Sequence, residues 1–144
     1  LTDGAAAVIV CSEDYANKNS LEILAHIRGM AISGCSPEIM GIGPVLSSQK
    51  ALKRAGIKLE DVDVIEMNEA FAAQSLACVK ELGVEMSKLN IHGGAISMGH
   101  PLGASGARIT GKAASLLKET GKRYALSTMC VGGGQGCATV LERV

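Results

Sequence analysis

Apolar runs of strand length alternate along this chain with longer stretches of helical composition, and three of the helical stretches stop at a glycine: Gly56, Gly83 and Gly121. Glycine enters the left-handed conformation that ends a helix without a Cβ penalty, so each marks a C-terminal boundary. The spacing predicts helices over 45–55, 70–82 and about 103–120. Between and around them, 5–11, the middle of 21–34, 62–67, 124–129 and 137–142 read as short buried strands. Ser12, followed by Glu13 and Asp14, is a helix N-cap with acidic residues in the first turn. The stretch 37–44 reads as a loop, and 90–102 as glycine-rich and irregular. Alternation of this kind predicts an α/β layered domain.

At 144 residues and 47% hydrophobic content, one such domain can bury a core. Lysine plus arginine and aspartate plus glutamate number 14 each, so net charge implies neither nucleic acid nor an acidic membrane surface. Tryptophan is absent and aromatics are 2% of residues, which removes the usual base-stacking platform. No apolar run approaches the roughly 20 residues that cross a bilayer. The five cysteines (Cys11, Cys35, Cys78, Cys130, Cys137) are odd in number and lack close zinc-type pairing, which favours free thiols in a reducing compartment. Cys11, Cys35, Cys78 and Cys137 are assigned to the core.

Three segments set a chemically able side chain among small neighbours: Asn68-Glu69-Ala70-Phe71-Ala72, Gly99-His100-Pro101-Leu102-Gly103-Ala104-Ser105-Gly106 and Cys130-Val131-Gly132-Gly133-Gly134-Gln135-Gly136. An amide, an imidazole and a thiol can together polarise a carbonyl and move a proton, the equipment of acyl transfer or carbon–carbon bond chemistry. Each has a plainer reading. Asn68 suits an N-cap, a lone histidine is as often structural, and a free cysteine is usually a small buried hydrophobe. The glycines at 103 and 106 open a helix, where phosphate binds readily, but neither a full GxGxxG nor a P-loop is present. A metal site from His92, His100 and Cys130 matches no zinc spacing.

These blocks, with Asn90-Ile91-His92-Gly93-Gly94-Ala95-Ile96-Ser97-Met98-Gly99-His100-Pro101 and Asp3-Gly4-Ala5-Ala6-Ala7, resemble the C-terminal signatures of the thiolase family in order and spacing. The resemblance covers essentially the whole chain, 1–144. It implies a thiolase-like layered αβα half, the C-terminal half of an αβαβα sandwich, with a large surface exposed for the other half. It implies that Cys130 is the acid/base cysteine at the substrate α-carbon. By the same resemblance His100 activates the nucleophilic cysteine and donates in an oxyanion hole, and Asn68 holds a water in that hole. Gly132 would offer its backbone N–H to a second oxyanion hole. Met40, Ala70 and Phe71 would line the acyl or coenzyme A pocket, and Glu69 would orient its neighbours.

Coenzyme A is then substrate and product rather than a resident cofactor, and no metal is expected. The implied partners are acyl-CoA substrates, an N-terminal half bearing the nucleophilic cysteine, and further copies in a dimer or tetramer, with neither nucleic acid nor membrane. The start at Leu1-Thr2-Asp3-Gly4, without methionine, reads as the C-terminal part of a longer polypeptide, inactive alone. The expected compartment is the cytoplasm or mitochondrial matrix, and the 90–94 pattern tilts the acyl preference to short chains. The alternatives are a ketoacyl-synthase-type condensing enzyme, against which the Gly-His-Pro block speaks, and a non-catalytic half that works only with a partner.

Overall fold

A computed structural model describes residues 2–144 and shows one mixed sheet flanked by helices. In chain order the elements are α1 (Glu13–Lys18), β1 (Ala25–Gly34), α2 (Gly43–Ala55), β2 (Val64–Met67), α3 (Ala72–Leu82), α4 (Ala95–Met98), α5 (Leu102–Thr120), β3 (Tyr124–Val131) and β4 (Gln135–Arg143). The sheet order is β1-β4-β3-β2; β4 runs antiparallel to both neighbours, and β2 runs parallel to β3. Pro37–Ile42, expected as loop, is a 3₁₀ turn leading into α2.

Strand alternation sorts the side chains into two layers. Ile65, Leu126, Ala138 and Val140 pack with Ala51 and Leu52 of α2, and Val79 and Leu82 of α3 join them. Val64, Ala125 and Leu141 point the other way, onto Ala113, Leu116 and Leu117 of α5. This is a helix–sheet–helix sandwich, the α/β layering expected from the sequence. Among the described residues no helix is long and apolar enough to cross a membrane.

The three glycine stops hold. Gly56, Gly83 and Gly121 follow α2, α3 and α5 with φ of +68°, +75° and +68°. No atom lies near the position a Gly83 Cβ would take, so only backbone strain opposes a side chain there. Gly83→Ala is therefore expected to lower stability by about 1 kcal/mol, read as a shifted urea midpoint with unchanged slope.

The expected strand over 5–11 does not form. Residues 2–8 lie along the outer side of α5, Thr2 against Gly99, Gly4 against Pro101 and Val8 against Gly111. The segment runs along the α5 layer and pairs with neither edge strand, β1 or β2, so Val8, Ile9 and Val10 stay exposed. Cys11 is consequently exposed rather than in the core. Cys35 and Cys137 are half-buried, and of the four cysteines assigned to the core only Cys78 is fully enclosed. The reason at Cys137 is that α5 covers the β2–β3 side of its face, whereas Ile27, Met30 and Ile32 of β1 are open on that side. A contiguous apolar area of this kind marks a surface for another body.

Candidate active site

Asn68 continues β2 by one residue, its N–H donating to Thr128 O at 2.9 Å, so it is fixed beside the end of β3. The sequence allowed an N-cap role, but the helix starts at Ala72 and Phe71 occupies the cap position. Asn68 is 0% exposed, and neither Oδ1 nor Nδ2 has a hydrogen-bond partner. A buried amide with nothing to bond is uncommon and costly, and an enclosed water is its usual partner.

Asn90 holds the strand end in place. Its N–H donates to Ile65 O (2.8 Å), its Oδ1 accepts from Met67 N (2.9 Å), and its Nδ2 donates to Met67 O (2.9 Å) and Glu69 (2.6 Å). Asn90 sits at φ +43°, a conformation that asparagine tolerates better than most residues. Glu69 also accepts from Ile96 N at 2.9 Å, and its carboxylate occupies the space a Cβ on Gly94 would need. Glu69 thus ties the 90–96 loop to the segment that carries Asn68.

His100 and Pro101 lead directly into α5. The His100 Nδ1 lies 2.6 Å from Ser105 Oγ, and that hydroxyl donates to Pro101 O at 3.0 Å. With the hydroxyl proton committed to the carbonyl, Nδ1 carries the ring hydrogen and Nε2 keeps its lone pair. Burial, with the Arg108 cation adding to it, holds the imidazole below its ordinary value and so favours the neutral form. The first turns of α5 cross the end of β3, since Thr110 Oγ1 bonds Ser127 Oγ at 3.1 Å and Gly106 faces Met129.

Cys130 lies inside β3, opposite Gly136, and not just after the strand as the sequence suggested. It is 6% exposed, and burial first, then Cys35, pushes its thiol up against the opposing pull of its own backbone N–H. Near neutrality it is a protonated thiol, able to give a proton to a carbanion. Beyond it the 132–134 turn has Gly132 exposed, with open space where a Cβ would stand.

Asn68, His100 and Cys130 therefore collect at one end of the sheet, from β2, the α5 entry loop and β3. Ala70 is half-buried and Phe71 is 69% exposed, both just past Asn68. Met40 is half-buried on the 3₁₀ turn, which Gln74 Nε2 (2.9 Å) and Cys78 Sγ (3.3 Å) hold through Gly41 O. A groove of about 860 Å³ lies elsewhere, between 6–13, 21–27 and α5, and includes none of these residues. His92 lies apart from them, its Nε2 3.6 Å from Glu119.

The family described as thiolase, C-terminal domain, matches residues 21–143. The chain belongs to the thiolase family. It is 58% identical to the 3-ketoacyl-CoA thiolases of Vibrio parahaemolyticus and Vibrio vulnificus over 99% of its length. It spans 37–38% of the length of those thiolases. Among solved structures it is similar to human mitochondrial 3-ketoacyl-CoA thiolase, with 49% identity and a TM-score of 0.90, covering 92% of this chain and 34% of that one. A second structure of that human thiolase is a complex with CoA. The acetyl-CoA acetyltransferase of Bacillus anthracis is similar at 44% identity and a TM-score of 0.89, with the same coverage of both chains. The layered αβα arrangement is thus that of a thiolase.

Sequence reasoning assigned no role to Asn90, Ser105 or Arg108. Asn90 shows itself only through its positive φ and its bonds to Met67 and Glu69, and Ser105 and Arg108 only through the contacts that folding gives them.

Glu66, 1% exposed on the α5 side of β2, pairs with Lys112 at 3.1 Å, yet burial outweighs the lysine and raises its carboxyl. A raised carboxyl binds its proton more tightly folded than unfolded, so this contribution is present below the ordinary 4.5 and fades as pH climbs past it. Glu66→Gln is expected to flatten that part of the stability-against-pH curve, measured by urea unfolding between acid and neutral pH.

Proposed function

We propose that this chain is the C-terminal catalytic part of a thiolase, cleaving 3-ketoacyl-CoA with CoA or, in reverse, condensing two acetyl-CoA molecules. The observation that carries the reading is the convergence of Asn68, His100 and Cys130 at one sheet end in a chain of this family. The nucleophilic cysteine belongs to an N-terminal half outside these 144 residues. The exposed face of β1 and the outer side of α5 are the surfaces that half would cover.

In thiolysis His100 Nε2 takes the proton of the nucleophilic thiol, and the thiolate attacks the keto carbon. The carbon–carbon bond breaks, its electron pair stays on the α-carbon of the departing acetyl-CoA, and the Cys130 thiol supplies the proton. The Cys130 thiolate then accepts the proton of an incoming CoA thiol, whose sulfur attacks the acyl-enzyme and releases acyl-CoA. Protons balance, because the Cys130 proton spent on acetyl-CoA returns from CoA and the His100 proton returns to the nucleophile. Passing through a thioester replaces one hard displacement with two easier ones.

Oxygen charge develops at two carbonyls. The first oxyanion would be met by His100 and by a water held by the Asn68 amide. The second would be met by backbone N–H groups, that of Gly132 among them; fixed donors cost no reorganisation during reaction. Met40, Ala70 and Phe71 line the acyl and pantetheine path once the other half closes it. Coenzyme A enters and leaves as substrate, and the working enzyme is an oligomer of the cytoplasm or mitochondrial matrix.

The test is reconstitution. The chain is mixed with a separately expressed thiolase N-terminal half, and acetoacetyl-CoA thiolysis is followed by CoA consumption. Turnover by the mixture and none by either part is expected. Turnover by the chain alone, at the rate of an intact thiolase, contradicts the proposal.

A further inference from the structure

Arg108 is the one arginine of α5, and its guanidinium is turned inward. Nη1 reaches Met98 Sδ at 3.1 Å, just before His100, while Nε and Nη2 are buried without a partner. On the strand facing that side of α5, the buried atoms without hydrogen bonds are Glu66 Oε1 and both polar atoms of Asn68. All are enclosed in this chain as it stands, so a second body docking outside reaches none of them. Glu66 Oε1 has Lys112 Nζ at 3.1 Å as an ion-pair partner, so the groups left without any partner are two guanidinium donors on the helix and the Asn68 amide, one acceptor and one donor, on the strand. Buried polar groups in that position bond through enclosed water.

We propose that Arg108 is a positioning residue for the site: through a buried hydration site shared with Glu66 and Asn68, and through Met98, it links the His100 loop to the end of β2. The inference rests on the reading of His100 and Asn68 as site residues. Two consequences follow from the placement. The Asn68 amide is held by the guanidinium side of the water network, so its orientation toward substrate is fixed from behind. A permanent cation also stands beside the imidazole, which disfavours a second positive charge there and keeps His100 a base.

The charged groups around this arrangement come from each packed element. Lys112 lies one turn on along α5, Glu66 on β2 and Glu69 on the loop after it, while the Cys130 thiol on β3 faces the opposite layer. Arg108 acts downward on both Glu66 and His100: at His100 it adds to burial, and at Glu66 it opposes the burial that leaves the carboxyl raised.

The experiment is an NMR titration of the His100 ring in the 144-residue chain, which needs no turnover and stands whether or not thiolase activity is found. Arg108→Gln is expected to raise the His100 midpoint by about half a pH unit or more, and Arg108→Lys to restore it toward wild type. A folded Arg108→Gln chain with an unmoved midpoint overturns the proposal. Where Arg108→Gln does not fold, Glu66→Gln decides: it leaves the guanidinium less opposed and should lower the midpoint, and an unmoved midpoint again overturns the proposal.

Discussion

Replacing Cys130 by alanine in a thiolase reconstituted from this chain and a thiolase N-terminal half should lower acetoacetyl-CoA thiolysis by about a thousandfold or more. General acid–base groups contribute roughly 10²–10⁴ in rate, and this thiol is asked to act twice per cycle, as acid and then as base. The defect should be selective. Acyl transfer from acetyl-CoA to the nucleophile breaks no carbon–carbon or carbon–hydrogen bond, so the Cys130→Ala enzyme should still gain an acetyl group. His100→Ala should fail earlier, because the nucleophile loses its base and the first oxyanion loses a donor. Rapid-quench mass measurement separates the two: an acetylated but non-cleaving Cys130 variant, and a His100 variant slow even to acetylate. Equal loss of acetylation in both would remove the division of labour between them.

The second large effect is structural and comes from a place where backbone meets backbone. Gly136 pairs with Cys130 across the sheet, and a Cβ on it would run into the Gly43 carbonyl and come within 2.8 Å of Pro44 N. A Cβ on Gly43 would meet the Gln135–Gly136 peptide in the same way. The start of α2 therefore rests directly on β4, beside the strand that carries Cys130. Backbone on both sides cannot turn aside as a flexible side chain does. Gly136→Ala is expected to cost about 3 kcal/mol, the upper part of the usual overpacking range, and to displace α2 and the 3₁₀ turn that holds Met40. Urea unfolding measures the first, and amide shifts of 37–46 report the second. A loss under about 1 kcal/mol, with those shifts unmoved, would show that the contact relaxes freely.

The contrast between Gly136 and Gly83 explains how much of the fold the sequence disclosed. Gly83 ends a helix through its own backbone preference, a local property, and the helix boundary was legible to within two residues. Gly136 matters because of Gly43, far away in the chain, and no local pattern announces that contact. The same division runs through the site. His100 and Cys130 stood out because glycine and proline surround them. Asn90, Ser105 and Arg108 act on residues that only folding brings near, so their types alone carried no message. The strand expected over 5–11 shows the opposite failure: its apolar composition is real, but the segment lies along α5 and pairs with neither edge of the described sheet.

The central claim is that this chain supplies the acid/base and oxyanion groups while the nucleophile lies on another half. Intact-mass measurement after exposure to acetoacetyl-CoA tests it most directly, on the 144-residue chain alone and on its mixture with a thiolase N-terminal half. The account predicts no acetyl group on the chain in either sample, and one acetyl group on the N-terminal half in the mixture. An acetyl group on the chain alone, located to any of its five cysteines, would contradict it.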